Sequence, residues 1–103
     1  MRQVRRSVSF IEEFQRLLRQ GLAKFGYLVV EEKRALVEAC IVGILAHHPS
    51  TRRVELAIGL YTYPVTGTPF VLVYDFDDSE LRVHYIFHES SDRAALDMSR
   101  IEW

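Results

Sequence analysis

The chain has 103 residues, 49% hydrophobic and 26% charged, with a formal net charge of −1, which suits one globular domain over 1–103 and leaves no room for a second core. No apolar run approaches the roughly 18 residues of a membrane span. Arg2, Arg5 and Arg6 are not followed by the apolar stretch of a secretory leader, so the expected setting is the reducing cytoplasm. Cys40 is the one cysteine, which excludes a disulfide framework and a cysteine-based zinc site.

The average charge hides a gradient. Residues 1–53 hold 10 Lys/Arg and 5 Asp/Glu, a net of +5; residues 54–103 hold 3 and 9, a net of −6. Two readings stand: charges coating two sides of a small domain, or a basic surface from the first half that faces a partner.

In chain order, Val4–Val8 reads as a short strand. Ser9-Phe10-Ile11-Glu12 has the form of a capping box, the Ser9 hydroxyl accepting from the third helical amide and Glu12 reaching back. Phe10, Phe14, Leu17 and Leu18, with Ile11 and Leu22, then recur at helical spacing. Glu12 and Arg16 oppose them as an i, i+4 pair, and Gly21 and Gly26 mark the end. A second helix is predicted from Tyr27 to His47, with charges at Glu31–Arg34 and then a nearly continuous apolar run from Ala35 to Leu45. So wide a stripe implies burial on more than one side. His47, His48 and Pro49 close it, and the two helices should form an antiparallel hairpin.

From residue 54 the period changes to two. Leu56, Ile58 and Leu60 alternate, and Tyr61-Thr62-Tyr63-Pro64 continues that strand to a break at Pro64 and Gly67. Phe70–Tyr74 is a buried strand ending in the acidic turn Asp75–Ser79. In Leu81–His88, strict alternation puts Leu81, Val83, Tyr85 and Phe87 on one face and Arg82, His84, Ile86 and His88 on the other. The last 14 residues are polar and mixed and end in Trp103. The reading is an α+β domain, β-α-α-β-β-β, with the helical hairpin on one face of a small antiparallel sheet and the other face free.

This order, with the stretch Gly67-Thr68-Pro69-Phe70-Val71-Leu72-Val73-Tyr74, Asp77-Asp78, Leu81–His88 and Asp92-Arg93, resembles the RelE/ParE toxin superfamily of bacterial type II toxin–antitoxin modules. The resemblance covers the sheet well and the hairpin in outline. It implies a growth-inhibiting toxin neutralised by a cognate antitoxin. The sequence shows no nucleotide motif, Gly-rich phosphate loop or triad, so no cofactor is expected. The superfamily includes ribosome-dependent mRNA endonucleases and DNA gyrase inhibitors on one scaffold, and fold does not choose between them.

An mRNA endonuclease must hold phosphate with Arg or Lys, move protons with a group such as His, and hold unstacked bases on aromatics. If the chain is a nuclease, His88, at the strand end where the resemblance implies a proton-transfer histidine, and Arg82, as phosphate ligand, are the catalytic pair. His84, Arg52, Arg53, Tyr61 and Tyr63 are candidates for contacting RNA or another target. Each has a plainer reading: Arg82 as cross-strand partner of Asp75, Arg52-Arg53 as a solvated loop, the tyrosines as good strand formers. Four residues of strand place His84 and His88 about 13 Å apart, too far to share a metal ion, so no metal site is expected. After the last strand, where the best-known nuclease members crowd basic residues, this chain has Glu89-Ser90-Ser91-Asp92. That slightly favours gyrase inhibition over mRNA cleavage, by elimination. The alternative from another class is a protein-binding or assembly module without toxic activity.

Overall fold

The computed structural model describes residues 1–50, 54–57, 59–92 and 97–103. In chain order these form β1 (Gln3–Arg6), α1 (Val8–Phe25), α2 (Tyr27–Ala39) running on into a π-helical turn (Cys40–Leu45), β2 (Val54–Ala57), β3 (Leu60–Pro64), β4 (Phe70–Phe76), β5 (Glu80–His88) and a 3-10 turn (Met98–Arg100). The two helices pack on one face of a five-stranded sheet of order β1-β5-β4-β3-β2. The α+β class and the helical pair on one sheet face are as the sequence implies; the sheet differs in two respects.

First, the single strand expected to run through to Pro64 is two. Gly59 sits at φ +79, and the chain folds back so that Val54 and Glu55 pair with Thr62 and Tyr61. A left-handed residue opens a tight hairpin where only glycine is unstrained. Second, the sheet is mixed. β1 runs parallel to β5, Val4 beside Leu81 and Arg6 beside Val83, while the other pairs are antiparallel. A parallel neighbour needs a long connection, and here both helices and three strands intervene.

The N-cap of α1 lies two residues before the expected one. Ser7, extended at φ −68 and ψ 156, accepts from Phe10 N at 2.8 Å and donates from its own hydroxyl to the His84 carbonyl. Buried Ser7 thus ties the helix start to β5, a tertiary bond that local sequence does not announce. Ser9 instead pairs with the C-terminal segment, its hydroxyl accepting from Glu102 N at 2.8 Å. The acidic partner of Arg16 is Glu13, at i, i+3. Phe10, Phe14 and Leu17 are buried as the spacing predicts, whereas Ile11 and Leu22 stay exposed.

Gly26 alone separates α1 from α2, with φ +83 and its N–H on Leu22 O. Residues after α2 tighten into the π turn, in which Ala46 N bonds Ile41 O at 3.0 Å. Closing i→i+5 bonds brings residues 41, 45 and 46 to one side. Ile41, Leu45 and Ala46 are buried, while Val42 and Ile44 face outward. The apolar run is therefore buried on one side only, not on several as its composition implies.

The helix-side core joins Phe10, Phe14, Leu17, Val37, Cys40, Ile41 and Leu45 to Tyr63, Phe70, Leu72, Tyr74, Leu81, Val83 and Ile86. A second cluster lies apart from it: Val71, Val73 and Phe87, with Leu56, Leu60, Tyr85 and Met98 partly buried against them. The second sheet face is thus apolar and partly covered, not free. The division within β5 comes from a bulge. Pairing steps from Val73–Tyr85 to Tyr74–Val83, leaving His84 as an extra residue. One extra residue inverts every later side chain. Hence Val83 and Ile86 share the helix-side core, and Tyr85 and Phe87 belong to the other cluster.

Candidate functional site

The bulge decides where the candidate residues lie. Arg82, His84 and His88 do not share a face. Arg82 and His84 stand with Asp75 at one end of the β4–β5 pair, while His88 lies beyond the bulge against Phe70, ring edge to face at 6.4 Å.

Arg82 is surrounded by carboxylates. Its Nε and Nη2 donate to the two oxygens of Asp75 at 2.8 and 3.1 Å, and its Nη1 donates to Asp77 at 2.9 Å and Glu80 at 3.2 Å. Bidentate pairing of this kind fixes the guanidinium plane. Partial burial would raise the Asp75 carboxyl, but hydrogen bonds from Arg82 and His84 outweigh it and hold the pKa below its ordinary value. Asp77 is also held well below its ordinary value, by Arg82 and by backbone N–H groups of Ser79 and Glu80. A phosphate would have to displace three anions to reach this arginine, so the cross-strand role is the one the geometry displays.

His84 Nε2 lies 2.9 Å from Asp75 Oδ1, and the edge of the ring system meets Trp103 at 4.8 Å. The Arg5 guanidinium stacks over Trp103, also at 4.8 Å. Sequence reading passed over Trp103 as part of a polar tail. A large aromatic in such a tail is itself a signal of docking, since exposing it wastes its apolar area.

His88 occupies different ground. It helps line a crease of about 280 Å³ whose walls include Leu17, Leu18, Phe25, Val29, Val30 and Phe70 together with Lys24 and Lys33. The Lys33 ammonium donates to Gly67 O at 2.6 Å, tying α2 to the turn before β4. Ser90 N lies 3.1 Å and Ser90 Oγ 2.7 Å from His88 Nδ1. A backbone N–H can only donate, so Nδ1 accepts and the neutral ring carries its proton on Nε2. Beside the crease, Phe25, Tyr27 and Leu28 are 66%, 68% and 83% exposed. These flank Gly26, and their run in the sequence was the available sign of an apolar surface at the helix junction.

The remaining candidates fall elsewhere. Tyr63 is buried in the helix-side core, and Tyr61 is half-buried against Tyr74 and Phe76 at 6.0 and 5.8 Å, so the rings are used in packing. Arg52 and Arg53 lie outside the described residues. Among the described residues no cluster of three or more His, Cys, Asp or Glu could hold a metal ion, and no helix is long and apolar enough to cross a membrane. Burial pushes the Cys40 thiol up to about 11, which leaves it without thiolate at neutral pH.

No family model matches the sequence, and no curated protein does. A chain in the solved structure of the chromosomal ParDE TA (toxin–antitoxin) system from P. aeruginosa is similar in fold. The TM-score is 0.74 at 12% identity, over 85% of this chain and 96% of that one. At that identity the likeness is one of architecture, and by it the chain has a RelE/ParE-like fold.

Proposed function

We propose that the chain is the toxin of a type II toxin–antitoxin module, neutralised by a cognate antitoxin protein and acting on DNA gyrase rather than by cutting mRNA on the ribosome. The observation that supports the toxin class is the fold likeness to a chain of a ParDE system over nearly the whole of both chains. What favours gyrase over mRNA is Arg82. A nuclease of this fold needs a cation open to phosphate near its proton donor. Here Arg82 is enclosed by Asp75, Asp77 and Glu80, and His88 lies past the bulge from it. Inhibiting gyrase requires a docking surface and no proton transfer.

Purified chain added to a gyrase supercoiling reaction, and in parallel to ribosomes translating a defined mRNA, tests the choice. The expected result is loss of supercoiling with the mRNA intact. Cleaved mRNA would move the activity to the nuclease branch, where His88→Ala should abolish it. Neither effect would leave the assembly-module reading in its place.

A further inference from the structure

We infer that the open depression where the π turn ends against the start of β1 binds a phosphate group, with Arg2 as its fixed cation and His47 and His48 as flanking donors. The site goes beyond the toxin reading and stands without it. The depression measures about 370 Å³ and is lined by Arg2, His47, His48, Pro49 and Ser50, with no carboxylate among them. One backbone bond holds its two sides together, Arg2 N donating to Ala46 O at 3.1 Å.

Arg2 is in place before any ligand arrives. Its Nε donates to Asp77 O at 2.7 Å, and the guanidinium lies 5.6 Å over the Phe76 ring. A planar fork held in this way loses little rotamer freedom on binding, and among the described residues its Nη groups have no acceptor. His47 and His48 are both exposed, with rings 6.3 Å apart and no hydrogen bond from either ring to a described residue. An imidazole keeps at least one N–H in either charge state, so each ring has a donor to give. The end of a helix ordinarily repels an anion through its last carbonyls. Here those carbonyls are taken: Ile44 O by the N–H groups of His47 and His48, Ala46 O by Arg2, and Pro49 O by the Tyr74 hydroxyl at 2.6 Å. Asp77, whose carbonyl holds Arg2, has its carboxylate on Arg82 and on the N–H groups of Ser79 and Glu80. Donors on three side chains suit the tetrahedral oxygens of a phosphate better than the two oxygens of a carboxylate.

The test uses the intact, isotope-labelled chain at constant pH and ionic strength, with inorganic phosphate titrated in against chloride. Phosphate should shift the ring signals of His47 and His48 and the Arg2 Nε–H signal saturably, in the millimolar range; chloride should not. Arg2→Gln, read on the histidine rings, should weaken binding about tenfold or more. The double variant His47→Gln, His48→Gln, at exposed positions and read on Arg2, should weaken it about as much. Both should keep the parent's amide dispersion, which separates a lost site from an unfolded chain. A second arm replaces phosphate with a short DNA duplex. Shifts of the same signals at lower concentration assign the site to a phosphodiester backbone, and shifts with inorganic phosphate alone assign it to a free phosphate. The inference is overturned if neither phosphate nor the duplex moves these signals, if chloride moves them as far, or if either variant binds as tightly as the parent.

Discussion

Arg82 shows how a residue that invites a functional reading can be held to a structural one. Its charge is shared among Asp75, Asp77 and Glu80, and the two aspartates have pKa values below their ordinary range. Lowered folded-state values mean stability that is complete above the unfolded carboxylate value of about 3.9 and is lost as pH falls through the lower folded values. Arg82→Met takes the shared cation from Asp75 and Asp77, which raises their pKa values and removes that stabilisation. The variant should be less stable than the parent at pH 7, and the gap in thermal midpoints should narrow steadily on acidification below about pH 4. A gap independent of pH would contradict the network. Tyr85 makes the opposite case at alkaline pH. Burial, with its hydroxyl donating to Glu13 at 2.6 Å, pushes the phenol up to about 12. The bond's stabilisation is full below about pH 10 and is lost as pH rises through the folded value. A tyrosinate absorbance titration should show a late component that Tyr85→Phe removes, at a cost of about 1 kcal/mol near neutrality. An unchanged titration would show that Tyr85 is not the late group.

At the scale of the element, the periodicities were legible and the interruptions were not. Phe10, Phe14 and Leu17 declared the buried side of α1, and Phe70–Tyr74 declared a strand covered on both faces. The bulge at His84, the π turn at Cys40–Leu45 and the hairpin at Gly59 each add or redirect one residue. Gly59 was a local sign of the hairpin, but the bulge and the π turn change no local composition, so alternation counted from Leu81 put His88 beside Arg82 when the extra residue puts it on the crease. The N-cap was misplaced for a related reason. Ser7 and Ser9 are equally suited by residue type, and only the tertiary bond to the His84 carbonyl selects Ser7. Ser7→Ala should therefore cost about 1–2 kcal/mol in chemical denaturation, because it removes the cap and leaves a buried carbonyl short of a donor. Ser9→Ala loses one exposed bond to Glu102 and should cost clearly less. Equal costs would place the cap at Ser9.

For the whole molecule, the charge gradient read from the sequence acquires an anatomy. Part of the acidic half stands at the turn between β4 and β5, where Asp75, Asp77 and Glu80 are bound to Arg82. The basic half supplies Lys24 and Lys33 to an apolar crease. The first is internally compensated; in the second, Lys33 donates to Gly67 O at 2.6 Å. The fold was legible because long, strongly periodic segments dominate it. The site was less so, because a crease between α1, α2 and β4 is assembled from residues as distant as Leu17 and His88. The central claim is that this RelE/ParE-like domain poisons its host until a partner covers it. The most direct measurement is growth of a bacterial host after induction of the chain alone and together with each gene that adjoins its own. The account predicts arrest with the chain alone, with a DNA-damage response rather than a halt in translation, and recovery when one of those neighbours is co-expressed. Undiminished growth with folded chain accumulating in the cells, or arrest that neither neighbour relieves, would contradict it.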